Sequence, residues 1–488
     1  MVAGTRRCAA MHKARSFYLY SDWATPRASA EYRGRGAPFS VSESSGDRFA
    51  PGRNCDGMND ARRNTIMCCG FVVAITAVTI SAMARDAEGV NVSRHLGVVG
   101  RVNLGSFYTP AKYVGIVGGW LLKHGIGRGW TIADLSCGYG AFFELADLEG
   151  LSGCRFVGND IDLEAIEKAK GIFTNVEWSV RNALKDVSRK NFSLSATERL
   201  VIVGNPPYND VTSQINQKVK TKECSIDADL KTRDLGMSSL LAYDKLKAEY
   251  VAVLHPLSYL VKKSNFSATR QFFSNYELIE HVVFPSCEFA GTSKTSAFPV
   301  IVAMYRRNAG NGLSYDDVQA MWFHTVDGVE FSLSGFDYVT DEIEKYPSGR
   351  RYEPEILFYT MRDINALRRS RTFIKERIAN AVDVDPRKLA YYCYVDCFKR
   401  YADVPYYLGN FNVPFIRSEF AAVSNDVLAV AKSAHPELFG KVSPPDSECE
   451  ERIKNYILRS LKGKEQNKCR QKKQKSSMKQ KVFSSICQ

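Results

Sequence analysis

The sequence lacks the patterns that hold zinc or build a disulfide framework. Its 13 cysteines are irregularly spaced, none forms a CxxC pair, and no cysteine–histidine set has zinc spacing. At 488 residues a disulfide scaffold is disfavoured, so we expect reduced thiols, no metal and a cytoplasmic location. The hydrophobic fraction of 45% and the charged fraction of 24% also exclude a fully disordered, collagen-like or polytopic membrane chain.

The central part of the chain lacks excess charge. The net charge is +13, but residues 1–64 hold 11 basic and 6 acidic side chains, and residues 462–488 hold 9 and 1. The chain between them is therefore neutral. Basic ends alone support nucleic-acid binding only weakly, so evidence for such binding has to come from motifs.

A chain of this length exceeds a single hydrophobic core, and we predict four regions. Residues 1–89 form an N-terminal extension that is disordered or results from a wrongly assigned start codon. Residues 90–307 form a domain of alternating strands and helices. Residues 308–450 form a second domain, of α+β type and rich in arginine and aromatic residues, and 451–488 a basic tail.

The extension contains an uncharged segment, 65–84, that is long enough to span a bilayer. It could be a membrane anchor, a buried segment, or part of a translated upstream region whose true start is Met58, Met67 or Met83. We expect no membrane association.

Residues 90–307 predict an α/β fold with an open, mostly parallel sheet and helices on both faces. Helical stretches separate several of the apolar runs, as at 163–169. Ligands of such sheets bind at the carboxyl ends of the strands. The predicted strands are 131–135, 155–159, 200–204, 250–255, 279–284 and 298–305.

Two of these strands end in patterns typical of nucleoside binding. Asp134 ends one strand and leads into a turn with Gly138 and Gly140, where the backbone can approach a ligand. Asp160 ends the next strand, where a carboxylate can accept both ribose hydroxyls. Asp160 or Asp162 could instead cap the following helix, and we expect one of them to do so.

The most specific signal is Asn205-Pro206-Pro207-Tyr208, directly after another strand. Consecutive prolines fix the backbone and remove donors, which leaves the Asn205 side chain and nearby carbonyls as an acceptor cluster. Such a cluster can accept both hydrogens of an amino group, and Tyr208 offers a face on which a base can stack. The alternative is a simple Pro-Pro turn with a packed tyrosine.

With these motifs the chain resembles the N6-adenine DNA methyltransferases of type II restriction–modification systems, in the gamma arrangement. The resemblance covers about residues 100–307 and is most specific in the Asn205-Pro206-Pro207-Tyr208 motif. Residues 105–110 are similar to the family's leading motif, 253–260 to a later strand and turn, and 291–305 to its last sheet motif.

The resemblance implies a Rossmann-like class I methyltransferase sheet, S-adenosylmethionine as cofactor and double-stranded DNA as substrate. Asn182 departs from the aspartate that the family often has there, and Leu135 replaces a frequent proline. The implied cofactor-binding residues are Phe107, Tyr108, Thr109, Pro110, Asp134, Ser136, Cys137, Gly138, Gly140, Asp160 and Asn182.

The resemblance also implies direct methyl transfer to a flipped-out adenine, without a covalent intermediate or a metal. Asn205 and the Pro206 carbonyl would hold the amino group, and Tyr208 would stack on the base. Phe289 is the candidate for the opposite face, with Phe284 as an alternative and core packing as a third possibility for either ring. No nuclease motif is evident, so a partner restriction endonuclease would be a separate chain.

Other functions remain open at this level. Asn-Pro-Pro-Tyr also occurs in methyltransferases that modify a glutamine amide of translation release factors, and close variants occur in RNA methyltransferases. A non-catalytic DNA-binding protein that keeps the fold is a further alternative. The leading motif and the long region after the sheet, taken as a target-recognition domain, favour DNA.

Overall fold

A computed structural model describes residues 109–208, 225–289, 297–344, 359–361, 372–378, 381–409 and 411–463. The predicted N-terminal extension, with its apolar segment 65–84, lies outside these residues, as do Phe107, Tyr108 and most of the basic tail. Within the described ranges, no helix combines the length and the apolar character needed to cross a membrane.

Seven strands form the central sheet, in the order β3-β2-β1-β4-β5-β7-β6. Strands β1 to β5 pair in parallel, whereas β7 runs antiparallel to both β5 and β6. The strands are β1 (Trp130–Asp134), β2 (Arg155–Asp160), β3 (Val176–Val180), β4 (Arg199–Gly204), β5 (Tyr250–Pro256), β6 (Tyr276–Pro285) and β7 (Pro299–Arg307).

Helices cover both faces of this sheet, as predicted, because alternate strand residues point to opposite sides. On β4, Leu200 and Ile202 belong to one hydrophobic cluster and Val201 and Val203 to the other. Helices α1 and α2 pack on the second cluster, and α3 and α6 on the first. The helices are α1 (Ala111–Lys123), α2 (Leu163–Lys170), α3 (Leu235–Lys245), α4 (Ser258–Val261), α5 (Lys263–Ala268) and α6 (Arg270–Asn275).

The six strands predicted from apolar runs all occur, with ends that shift by at most three residues. Strand β3 was not among those runs because Val176–Val180 mixes polar and apolar residues. Its position at the sheet edge explains this composition, since only Val176 is fully buried there.

The residues after β7 combine short antiparallel strands with longer helices, which agrees with the α+β prediction. Strand pairs are β8 with β9 and β10 with β14, and β11 lies between β12 and β13. These elements are α7 (Tyr315–Ala320), β8 (Trp322–His324), β9 (Glu330–Ser332), β10 (Asp337–Tyr338), β11 (Tyr359–Met361), β12 (Phe373–Ile374), β13 (Ala381–Asp383), α8 (Leu389–Tyr401), β14 (Pro414–Phe415), α9 (Phe420–Ala434), α10 (Pro436–Phe439) and α11 (Ser447–Ser460).

This C-terminal region and the sheet share one hydrophobic cluster, which runs from the β4 side of the sheet to α8, α9 and α11. Tyr406 adds a polar contact between them, since its hydroxyl donates to Asp327 at 2.6 Å and to the Val283 carbonyl of β6 at 3.4 Å. A continuous core extends across the domain boundary predicted after residue 307, so this boundary stays a prediction.

A buried ion pair ties α3 to α6 and β7. Asp244 is 4% exposed and accepts hydrogen bonds from Arg307 Nη1 at 2.9 Å, from Asn275 Nδ2 at 3.0 Å and from Gln271 Nε2 at 3.1 Å. The carboxylate thus satisfies three donors from two other elements, and its loss would leave the partly buried Arg307 without a counter-charge.

We predict that Asp244→Ala lowers the free energy of unfolding by about 3 kcal/mol, because it breaks a buried, multiply bonded charge pair. The matched control is Glu249→Ala, which removes an exposed partner of Arg199 at 3.3 Å and should cost less than about 1 kcal/mol. Urea unfolding of the three proteins measures both values. Equal losses would show that Asp244 contributes no more than a surface charge.

Candidate functional site

The predicted motifs meet at one edge of the sheet. The strand order reverses beside β1, which has β2 on one side and β4 on the other. The carboxyl ends of these parallel strands carry Asp134, Asp160 and, directly after β4, Asn205. Such a reversal opens a crevice, and this is where open α/β sheets bind their ligands.

Asp134 ends β1 as an almost fully buried carboxylate, at 2% exposure. Its Oδ1 accepts a hydrogen bond from the Ser136 backbone N–H at 3.0 Å. Burial raises the pKa of Asp134 to about 8, and the nearby charge of Asp160 adds to the effect. A carboxylate in this setting favours a cationic partner, because a cation would offset the cost of burying its charge.

The loop after β1 is held by backbone contacts. Cys137 N–H donates to the Asn159 carbonyl at 3.0 Å, and Gly140 N–H donates to the Cys137 carbonyl at 2.8 Å. Gly140 has a φ of +85°, and a side chain there would place its Cβ 3.0 Å from the rings of Phe143 and Phe173. The segment that follows, Ala141–Asp147, is a 3-10 helix.

Asp160 and Asp162 have different roles. The Asp162 side chain caps α2 by accepting from the N–H groups of Glu164 and Ala165. Asp160 instead accepts from Gly138 N–H at 2.7 Å and from Asp162 N–H at 2.9 Å. Burial raises the pKa of Asp160. The cap is therefore Asp162, which leaves the Asp160 carboxylate at the loop where the ribose was predicted.

Asn159 is a supporting residue to which sequence reasoning gave no role. It is fully buried, and its Nδ2 donates to the carbonyls of Leu135 and Arg181, each at 3.0 Å. Its Oδ1 accepts from the Ser179 hydroxyl at 2.8 Å. One amide thus joins the ends of β1, β2 and β3 and fixes the loops on which Asp134 and Asp160 lie. A polar residue within a buried strand was the available signal.

The Asn205–Tyr208 segment begins where β4 ends. The Tyr208 hydroxyl donates a hydrogen bond to Asn205 Oδ1, so both polar side chains face one another. Burial raises the pKa of Tyr208, with a further contribution from the charge of Asp234, so the phenol stays protonated. Gly204 precedes the segment, and a side chain there would place its Cβ 3.0 Å from Asp134 Oδ1. Gly204 therefore lets the two motifs approach.

The positions of the rings distinguish Phe289 from Phe284, which spacing in the sequence could not do. The Phe289 ring centroid lies 6.5 Å from that of Tyr208, at an interplanar angle of 58°. Phe284 is fully buried behind it and stacks on Tyr113 at 3.9 Å. Of these two rings, Phe289 is the one beside Tyr208.

The other residues predicted to bind the cofactor lie in different surroundings. Thr109 is buried, and Pro110 precedes the first turn of α1. Asn182 follows β3, and its amide holds the local loop, since Nδ2 donates to the Ser225 carbonyl at 2.7 Å and Oδ1 accepts from Leu184 N–H at 2.9 Å. The predicted contact between Asn182 and the cofactor adenine stays a prediction.

A further set of polar side chains, which the sequence did not reveal, includes Asp234, whose charge acts on Tyr208. Tyr259 donates to Asp234, the N-cap of α3, and stacks on His255 with centroids 5.3 Å apart. His255 Nδ1 donates to the Pro256 carbonyl at 3.0 Å, so its Nε2 accepts from the Tyr305 hydroxyl at 2.7 Å. Burial lowers the pKa of His255 to about 4, which keeps the imidazole neutral.

The arginine and aromatic clusters of the C-terminal region divide into three groups. Arg350, Arg351 and residues 368–371 lie outside the described residues. Tyr392 and Phe398 are buried core residues. Several described arginines pair with carboxylates. No base-reading residue follows from these contacts.

No protein-family model and no curated protein matches the chain. Among solved structures, it is similar to a type I restriction–modification methyltransferase subunit from Streptococcus thermophilus, with 14% identity, a TM-score of 0.32, and coverage of 47% of this chain and 48% of that one. The chain thus spans about half the length of that subunit.

Two further similarities are to smaller proteins. A TehB-like S-adenosylmethionine-dependent methyltransferase from Corynebacterium glutamicum matches with 17% identity and a TM-score of 0.24, over 39% of this chain and 86% of that one. A candidate RNA methyltransferase from Pyrococcus horikoshii matches with 14% identity and a TM-score of 0.29, over 42% and 88%. Scores this low carry no argument about function.

The fold assignment rests on the sheet itself. Five parallel strands followed by an antiparallel β7 inserted between β5 and β6 form the Rossmann-like sheet of class I methyltransferases. The predicted fold class is confirmed. Within the described residues, no three His, Cys, Asp or Glu side chains are grouped to hold a metal ion.

We predict that the stability of the Asp134→Asn variant, taken relative to that of the wild type, increases as the pH rises from about 5 to 8. The folded-state pKa of about 8 lies above the unfolded value of 3.8, so folded Asp134 keeps its proton over this range. Wild-type stability therefore falls with pH, by at most about 1.4 kcal/mol per pH unit, and levels off above pH 8.

Asparagine has no proton to lose and keeps an oxygen for Ser136 N–H, so this slope should be absent from the variant. Thermal unfolding at several pH values measures the difference. Parallel stability curves for the two proteins would contradict a buried carboxylate with a raised pKa.

Proposed function

We propose that the protein is a site-specific DNA methyltransferase that transfers a methyl group from S-adenosylmethionine to N6 of a flipped-out adenine. The observation that carries the proposal is the position of Asn205 and Tyr208 at the same sheet edge as the buried Asp134. Gly204 brings these groups together, since its Cα lies against the Asp134 carboxylate. This is the arrangement expected where a planar amino group meets a methyl donor.

The residues of the edge fit S-adenosylmethionine. Asp134 offers a buried carboxyl group, and the ammonium of the cofactor's amino-acid part would stabilise its ionised form. Asp160 offers carboxylate oxygens at the end of β2, where ribose hydroxyls can donate to them. Loop 136–140 leaves room at Gly138, where an added Cβ would meet no atom within 4 Å. When bound, the cofactor supplies the methyl group of its sulfonium centre.

Asn205 and the Pro206 carbonyl would accept hydrogen bonds from the target amino group, because neither prolyl nitrogen competes as a donor. In the structure, Asn205 Oδ1 accepts from the Tyr208 hydroxyl. Target binding would exchange that bond for one from the amino group. Tyr208 and Phe289 would then enclose the base from two sides, after a small separation of their rings.

Acceptors on the amino hydrogens draw electron density onto the nitrogen, which then attacks the methyl carbon in line. Positioning and polarisation would supply most of the rate enhancement. Residues 308–450 would read the target sequence, and a separately encoded restriction endonuclease would cleave unmodified DNA. The basic tail would add salt-sensitive contacts to phosphates.

We predict that Asn205→Ala lowers the rate of methyl transfer by about 100-fold or more, because it removes a preorganised polar contact to the reacting group. Its affinity for S-adenosylhomocysteine should stay within about twofold of wild type, since Asn205 is assigned to the target and not to the cofactor. The measurements are transfer of labelled methyl groups to DNA and calorimetric cofactor binding.

The control is Asn455→Ala, which removes an exposed amide that donates to Glu451 on α11. It should match wild type in both measurements. A loss of cofactor affinity equal to the loss of rate in Asn205→Ala would remove Asn205 from its proposed role at the amino group.

A further inference from the structure

Tyr243 on α3 has a buried hydroxyl without a hydrogen bond. The residue is 1% exposed, and within the described part of the chain its hydroxyl oxygen contacts no donor or acceptor in hydrogen-bonding geometry. A buried polar atom without a partner costs free energy, and in native proteins it commonly marks the place of a ligand or a bound water.

The surroundings of this hydroxyl connect it to the proposed methyl-transfer site. The Ser136 and Ser239 hydroxyls lie near the Tyr243 phenol, although neither reaches hydrogen-bonding geometry, and the charge of Asp134 also acts on it. Tyr243 in turn acts on Tyr208 of the target motif. The hydroxyl therefore lies near both the cofactor loop after β1 and the Asn205–Tyr208 segment.

The nearby Asp134 carboxyl group also has few hydrogen-bond partners among the described residues. The hydrogen bond that the described residues give it comes from Ser136 N–H, although the side chain is almost fully buried. A ligand cation would favour the ionised form of Asp134, and the ionised carboxylate and the phenol oxygen are both hydrogen-bond acceptors. The ligand group that fits is a cation with several N–H bonds, such as a primary ammonium.

On the basis of the proposed function, we propose that Tyr243 is a cofactor-positioning residue whose hydroxyl oxygen accepts a hydrogen bond from the α-ammonium group of S-adenosylmethionine. The positive charge of that group would pair with Asp134. The Tyr243 proton would point to the Ser136 or Ser239 hydroxyl oxygen, since the Ser239 proton is already donated to the Leu235 carbonyl at 2.9 Å. All polar atoms of the pocket would then have partners.

The test is Tyr243→Phe, which removes one oxygen and keeps the ring. Calorimetry compares S-adenosylhomocysteine, which has the ammonium group, with 5′-methylthioadenosine, which lacks the amino-acid part. We expect binding of S-adenosylhomocysteine to weaken about tenfold, as for the loss of one hydrogen bond to a charged group, and binding of 5′-methylthioadenosine to stay unchanged. The ligand-free variant should unfold at the wild-type temperature or above, because an unsatisfied polar atom is gone.

Tyr394→Phe is the matched control. Tyr394 is another fully buried tyrosine, but its hydroxyl donates to the Pro414 carbonyl at 2.8 Å in the C-terminal region. Its phenylalanine variant should lose thermal stability and keep wild-type affinity for both ligands. The pair thereby separates a ligand-binding hydroxyl from a structural one.

Two results would overturn the inference in distinguishable ways. If Tyr243→Phe binds S-adenosylhomocysteine as tightly as wild type, or weakens both ligands equally, the hydroxyl does not contact the ammonium group, while the proposed function stands. If the wild-type protein binds neither ligand, the proposed cofactor is wrong and the role of Tyr243 falls with it.

Discussion

The burial of the Asp134 charge at the end of β1 is the constraint on which the site depends. Its carboxylate is almost fully buried and receives a hydrogen bond from Ser136 N–H, and burial raises its pKa to about 8. The surrounding chain accommodates it through a glycine at 204 and through the Asn159 amide, which joins three strand ends. A fold retains such a buried carboxyl group where a ligand cation can stabilise its ionised form.

Two halves of the site meet at this carboxylate. The loop after β1, together with Asp160, forms the side assigned to the cofactor, and Asn205 with Tyr208 forms the side assigned to the target. A ligand would change the hydrogen bonding on each side. Asn205 accepts from Tyr208, and near the cofactor loop the Tyr243 hydroxyl has no partner in hydrogen-bonding geometry among the described residues. The same two ligands, the cofactor and the target base, would therefore supply the missing hydrogen bonds and take part in the proposed reaction.

The sheet and the position of the site could be predicted from sequence because both depend on local signals. Apolar runs located six strands, and each motif directly follows a strand. Other features depend on tertiary contacts and could not be predicted. Spacing could not decide whether Asp160 or Asp162 caps α2, nor whether Phe284 or Phe289 lies beside Tyr208. Tyr243 gave no signal, because a tyrosine in a helix that is buried along most of its length looks like an ordinary core residue.

The most direct test of the central claim is nucleoside mass spectrometry after reaction of the full chain. The protein is incubated with S-adenosylmethionine and, separately, with plasmid DNA and total RNA, and each nucleic acid is digested to nucleosides. The account predicts N6-methyladenine in the DNA and none above background in the RNA. Methylation of RNA alone, or none of either nucleic acid by a protein that binds S-adenosylhomocysteine, would contradict a DNA adenine methyltransferase.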